Sequence, residues 1–231
     1  MGLPDESTIL RLRHRLEKHK LAEQILATVN ALLIERGLLL KAGTVVDATL
    51  IAAPSSAKNK DNKRDSDMHS SKKGNQWYFA MKAHIGADAN SGLVRTVRCT
   101  SDHVSDIVEV NTLLHAQESV AFGDAGCQGV EKRPDAKADV TWHVAPRPDK
   151  RKALDKESNE ADALPDQAEK LEASIHAKVE HPFRVIKRQF GFVKVCYCGQ
   201  KKNTAQLVTL FALSNLWMVR TKLIERWQEC A

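Results

Sequence analysis

The chain has 231 residues, with 35 Lys and Arg against 29 Asp and Glu, a formal net charge of +6. Hydrophobic residues at 42% and charged residues at 28% exclude wholesale disorder, and the length suffices for a core without disulfide or metal staples. Five cysteines, odd in number and without a Cys-x-x-Cys pair, argue against a disulfide framework or zinc ribbon and for a soluble protein of a reducing cytosol. The opening MGLPDESTILRLRH has no apolar core of a signal peptide. The apolar stretch 207–219 reads as too short and too interrupted to span a bilayer, so no membrane partner is expected.

Residues 5–37 read as helical, with Asp5 or Ser7 as cap, Ile9, Leu12, Leu16, Ile25, Val29 and Leu32 at helical spacing, and Gly37 as the stop. Strand patterns follow at 44–51, 77–88 and 92–100, and the turn Asn90-Ser91-Gly92 makes the last two a hairpin. The polar stretch between the first two strands, 53–75, reads as an exposed loop. A helix capped by Ser105 is predicted over 105–116, then strands over 119–127 and 140–146, and helices over 168–190 and 203–226, the last opened by Asn203 or Thr204. This order predicts an α/β or α+β sheet covered by helices, with the 105–116 crossover setting the next strand parallel to an earlier one.

Charge is unevenly spread. Residues 178–226 hold ten basic and two acidic residues, 58–73 six basic and three acidic, and 155–172 seven acidic and two basic. Basic blocks parted by an acidic loop fit a polyanion-binding face.

Three acids stand out. Asp47 interrupts the apolar run VVDATLI, where an ionised carboxylate is costly without a partner or metal, unless it lies on the solvent face of an edge strand. Asp124 ends the apolar run SVAF between Gly123 and Gly126, either as a turn aspartate or beside a closely approaching ligand. Glu180 heads a helical face with Arg184 and Lys187, a surface ion-pair ladder or part of a site, and Pro182 predicts a kink or restart of the helix there. His84 reads equally as a sheet residue or a site neighbour. Trp77 and Tyr78 beside Lys72 and Lys73 are compatible with unpaired DNA, although strand-core packing is the expected role of those aromatics. Convergent carboxylates flanked by cations are what metal-dependent phosphoryl transfer on nucleic acid requires, and an oxygen-rich donor set suits Mg²⁺ or Mn²⁺.

The blocks TVVDATLI, KKGNQWYFAMKAHIGADANSGLV, DAGCQGVEKR, KVEHPFRVIKRQFG and NTAQLVTLFALSNLWMVR resemble the DDE transposases of bacterial insertion sequences, in the group named for insertion sequence five. The resemblance implies an RNase H-like mixed sheet flanked by helices over 41–231, with residues 1–40 as an amino-terminal helical extension. It implies Asp47, Asp124 and Glu180, separated by 77 and 56 positions, as catalytic acids holding two Mg²⁺ or Mn²⁺ ions. It further implies cleavage of the element's ends, attack of the freed 3′-hydroxyl on target DNA, a homo-oligomer on double-stranded DNA, and a bacterial, nucleoid-associated location. His176, Arg184, Lys187 and Arg188 would contact DNA. The chain departs from the group at His176, Cys196 and Cys198, where arginine is usual, and at Cys127, where tyrosine is usual. It also starts at a motif that most members precede with a further helical segment, which predicts a weakened copy. A DNA-binding remnant without catalysis and a general metal nuclease are the alternatives.

Overall fold

The computed structural model describes residues 5–40, 43–57, 60, 62–137, 139–145 and 173–229. The acidic segment 155–172, strand residue 146, the first turn of the helix read from 168, and Cys230 lie outside them. In chain order the elements are α1 (Glu6–Lys18), α2 (Leu21–Glu35), β1 (Gly43–Ala52), β2 (His69–Lys73), β3 (Gln76–Asp88) and β4 (Val94–Ser101). They continue with α3 (Asp106–Leu113), β5 (Val120–Gly123), β6 (Thr141–Val144), α4 over 173–184 and α5 (Gln200–Glu229).

The six strands form one mixed sheet in the order β2-β3-β1-β5-β6, and β4 pairs with β3 along the edge that also takes β2. β1 lies between antiparallel β3 and parallel β5, as the crossover through α3 predicts. Flanked by helices, this is a mixed α/β architecture compatible with the expected RNase H-like core.

Alternation along the strands divides the apolar residues between two faces. Val45, Ile51, Met81 and Ile85 form the main core with Ala22 and Leu26 of α2, Val179 and Phe183 of α4, and Leu207 and Phe211 of α5. Val46, Ala121 and Trp142 pack against Val110 and Leu113 of α3 on the other face. Gly86 sets how closely α3 approaches, because a Cβ there would lie 2.4 Å from the Leu113 carbonyl oxygen. Gly86→Ala is therefore expected to lower stability by about 1–3 kcal/mol, read as an earlier urea midpoint.

Several expectations need correction. The 5–37 helix is two helices, because Lys20 adopts φ +52° between α1 and α2. Asp5 caps α1 by accepting from the Thr8 N–H at 2.7 Å, and Gly37 ends the second helix at φ +65°. The 53–75 stretch is not all loop, since β2 lies inside it and pairs with β3, a contact that no local pattern announces. Ser105 stands at the N-cap of α3 without a side-chain capping bond, and the helix stops at Leu113. β5 ends at Gly123, where the chain turns into a short 3₁₀ segment, Ala125–Cys127.

α4 continues across Pro182 and widens into a π-helical turn at Val185–Gln189. The Lys178 carbonyl, which an N–H at 182 would have met, instead faces Gly92, where an added Cβ would lie 2.8 Å away. α5 begins at Gln200, and the Asn203 amide donates back to the Tyr197 and Gly199 carbonyls. At Gln200–Glu225 it is long and apolar enough to cross a membrane by length and composition, which corrects the expectation from 207–219 alone. Here its Leu207, Phe211 and Ala212 are fully buried against the sheet.

Candidate active site

Because β1 is central, the edge-strand account of Asp47 does not hold. The parallel register Val45↔Phe122, carried two residues further, sets Asp47 level with Asp124, just past the end of β5. The two acids thus meet where β5 runs out, and Asp47, Asp124, Asp106, His84 and Cys127 line one cleft. Asp124 is held by its own turn, accepting from the Gly126 N–H at 3.0 Å and from the Cys127 thiol at 3.5 Å. Cys127 is buried beneath it; burial first, and then the neighbouring carboxylates, push its thiol pKa up and keep it protonated.

Asp47 accepts from the Ala48 N–H at 2.7 Å. Its pKa is nevertheless raised to about 7, mainly by desolvation, with Asp124, Asp106 and Glu180 adding repulsion in that order. Glu180, exposed on α4, lies within electrostatic reach of Asp47 but is not among the residues that line the cleft. Lys187, at the π-helical turn, donates to Thr49 Oγ1 at 2.6 Å, two residues along β1 from Asp47. Arg184 and Arg188 are exposed on the same segment, and His176 is half-buried one helical turn before Glu180.

The wall of the cleft carries a polar group of which the local pattern marks only His84. His84, 1% exposed, shares a 2.8 Å hydrogen bond between Nε2 and Thr100 Oγ1, and its Nδ1 lies 3.6 Å from Asp106 Oδ1. Lys82 Nζ lies 3.2 Å from Asp106 and donates to the Val104 carbonyl at 2.8 Å. Burial pushes the His84 pKa down against the pull of Asp106, so Lys82 is the cation that balances Asp106. Asp106 reads in the sequence as an ordinary acid in the first turn of a helix, and only the packing of α3 on β3 brings it to the cleft.

Among the described residues no three His, Cys, Asp or Glu side chains are already gathered into a metal cage. The donor chemistry still fits a hard divalent cation: the cleft's carboxylates are oxygen donors, and the repulsion that Asp47 feels is what such a cation relieves. Cys99, Cys127, Cys196 and Cys198 are all free thiols. The last two are exposed in the loop before α5.

Comparison with known proteins gives one family match. The model of the transposase DDE domain matches residues 39–216. No solved structure matches the chain significantly.

Proposed function

The chain belongs to the DDE transposase family, an enzyme family that acts on DNA in transposition and recombination, and from that premise we propose that it is the catalytic core of an insertion-sequence transposase of the insertion-sequence-five group. Asp47, Asp124 and Glu180 are its catalytic acids and would hold two Mg²⁺ or Mn²⁺ ions. The core is RNase H-like over 41–231, and the 1–40 extension docks through α2 onto α5. One observation supports the assignment: Asp47, in the central strand, stands level with Asp124 just past the end of parallel β5, and both line one cleft.

Bound at these acids, the ions would supply an activated water and neutralise charge building on a phosphodiester. Asp124, fixed by its turn, and Asp47, fixed by the Ala48 N–H, present oxygens that need no reorganisation. Lys187, pinned on Thr49, holds positive charge beside them and orients a DNA phosphate. Arg184 and Arg188 grip the backbone without reading bases. His176, Cys196 and Cys198 in place of arginine weaken that grip, so cleavage and joining are expected to be slow. The protein acts as a homo-oligomer on the element ends, at the bacterial nucleoid.

The test is Mg²⁺-dependent nicking of a plasmid carrying the element's terminal repeats, followed by a plasmid without them. Repeat-dependent nicking and joining support the proposal. Binding without nicking identifies a DNA-binding remnant, and nicking of both plasmids identifies a general nuclease. For the DNA grip, replacing Arg184 and Arg188 by alanine is expected to flatten the salt slope of duplex binding by about one to two units. An unchanged slope would mean that this face does not meet DNA.

A further inference from the structure

Trp77, on the β2–β3 hairpin, is 67% exposed, the most exposed of the large hydrophobic residues described. This overturns its expected packing in the strand core. Its cross-strand partner is Lys72, also exposed, so the ammonium stem and the indole lie side by side on one face. Two residues on, Phe79 shares that face, and the Arg64 guanidinium sits 5.4 Å over its ring. The same face of β3 continues inward as Met81 and Ile85 of the main core. Toward the hairpin tip the face passes from half-buried Phe79, which packs against the main core, to the exposed pair Trp77 and Lys72.

The surrounding segment strengthens the charge. Of the three acids in 58–73, Asp65 and Asp67 are engaged by the Gly199 and Gln200 N–H groups at the start of α5. Lys72 and Arg64 are both exposed beside this face. Resting on the transposase reading above, we propose that Trp77, flanked by Lys72 and by Arg64 over the Phe79 ring, forms a stacking site for unpaired nucleotides of the DNA bound at the catalytic acids.

Direction and reach fit this occupant. β3 is antiparallel to β1, so the hairpin projects from the sheet end toward which β1 and β5 run, the end that bears Asp47 and Asp124. From Ile85, paired with Asp47, to Trp77 is eight residues of strand, about 26 Å at roughly 3.3 Å per residue. That is about eight nucleotides at the stacked rise of 3.4 Å. An exposed indole offers a π-face, which an unpaired base can use and a base inside a duplex cannot. Gln76 Oε1 already accepts from the Tyr78 hydroxyl at 2.9 Å, so one of its two polar ends is engaged within the hairpin.

The experiment is fluorescence anisotropy with the full chain in EDTA, using a labelled oligothymidine and a labelled duplex of equal length. Trp77→Ala is expected to weaken single-strand binding about ten-fold or more and to leave duplex binding within about two-fold. Trp77→Phe should keep most of the affinity, and Lys72→Ala should flatten the single-strand salt slope by about 0.7. Oligothymidine should quench the indole emission of the unmodified protein and lose most of that effect in Trp77→Phe, a readout that does not depend on the alanine variant folding. Unchanged single-strand affinity in Trp77→Ala, or equal loss on both DNAs, overturns the proposal. Failure of the transposase reading shows separately, as absence of nicking by a protein whose single-strand binding still depends on Trp77.

Discussion

Asp47→Asn is expected to cut Mg²⁺-dependent strand cleavage by about a thousand-fold, the rate equivalent of roughly 4 kcal/mol of transition-state stabilisation. The same change is expected to stabilise the metal-free protein. Asparagine keeps an oxygen for the Ala48 N–H but carries no charge into a cleft shared with Asp124 and Asp106. The folded pKa of Asp47, about 7, lies above its ordinary 3.8, so between those values the folded state holds the proton more tightly than the unfolded state. Its contribution favours folding below the unfolded pKa and is lost as pH rises through 7. At pH 8 the penalty approaches about 4 kcal/mol. Urea melts in EDTA should therefore show the asparagine variant gaining over the unmodified chain from pH 5 to pH 8. Added Mg²⁺ should narrow the gap by stabilising only the carboxylate form. An advantage that does not grow with pH would show that Asp47 is not desolvated in the folded protein.

Phe211→Ala is expected to cost about 3–5 kcal/mol, a large share of a domain's usual 5–15. Phe211 is fully buried on α5 and meets Phe183 of α4 edge-on, with ring centroids 6.0 Å apart. The loss loosens α4, which carries Glu180 three residues before Phe183, so cleavage should fall with stability. Phe211→Leu should restore most of the urea midpoint, because it refills the volume. Equal midpoints for the alanine variant and the unmodified chain would mean that α4 is not held through this contact.

Much of the framework was legible locally. β1, β3 and β4 follow from β-branched and apolar runs, and the turn before β4 from Asn90-Ser91-Gly92. The Asp5 cap and the Gly37 stop are short-range chemistry that a local pattern records faithfully. Asp47 and Asp124 stand out because a carboxylate in or against an apolar strand is an energetic anomaly visible in one dimension.

The rest depended on partners distant in the chain. β2 is polar and reads as loop, and it becomes a strand only by pairing with β3. α4 crosses Pro182 where Gly92, in the turn between β3 and β4, lets the Lys178 carbonyl lie against it. Trp77 reads as a core aromatic, yet β3 outruns the helices that cover it. Asp106 and Lys82 look like surface charges until α3 is laid on the β3 backbone at Gly86. By itself the sequence determined most of the strands and helices, β2 and the break at Lys20 excepted, and that Asp47 and Asp124 are out of place, since propensity, capping and desolvation act over a few residues. Only the tertiary structure decided which face each strand buries and which charges share the cleft, because burial and Coulomb interactions depend on distance in space.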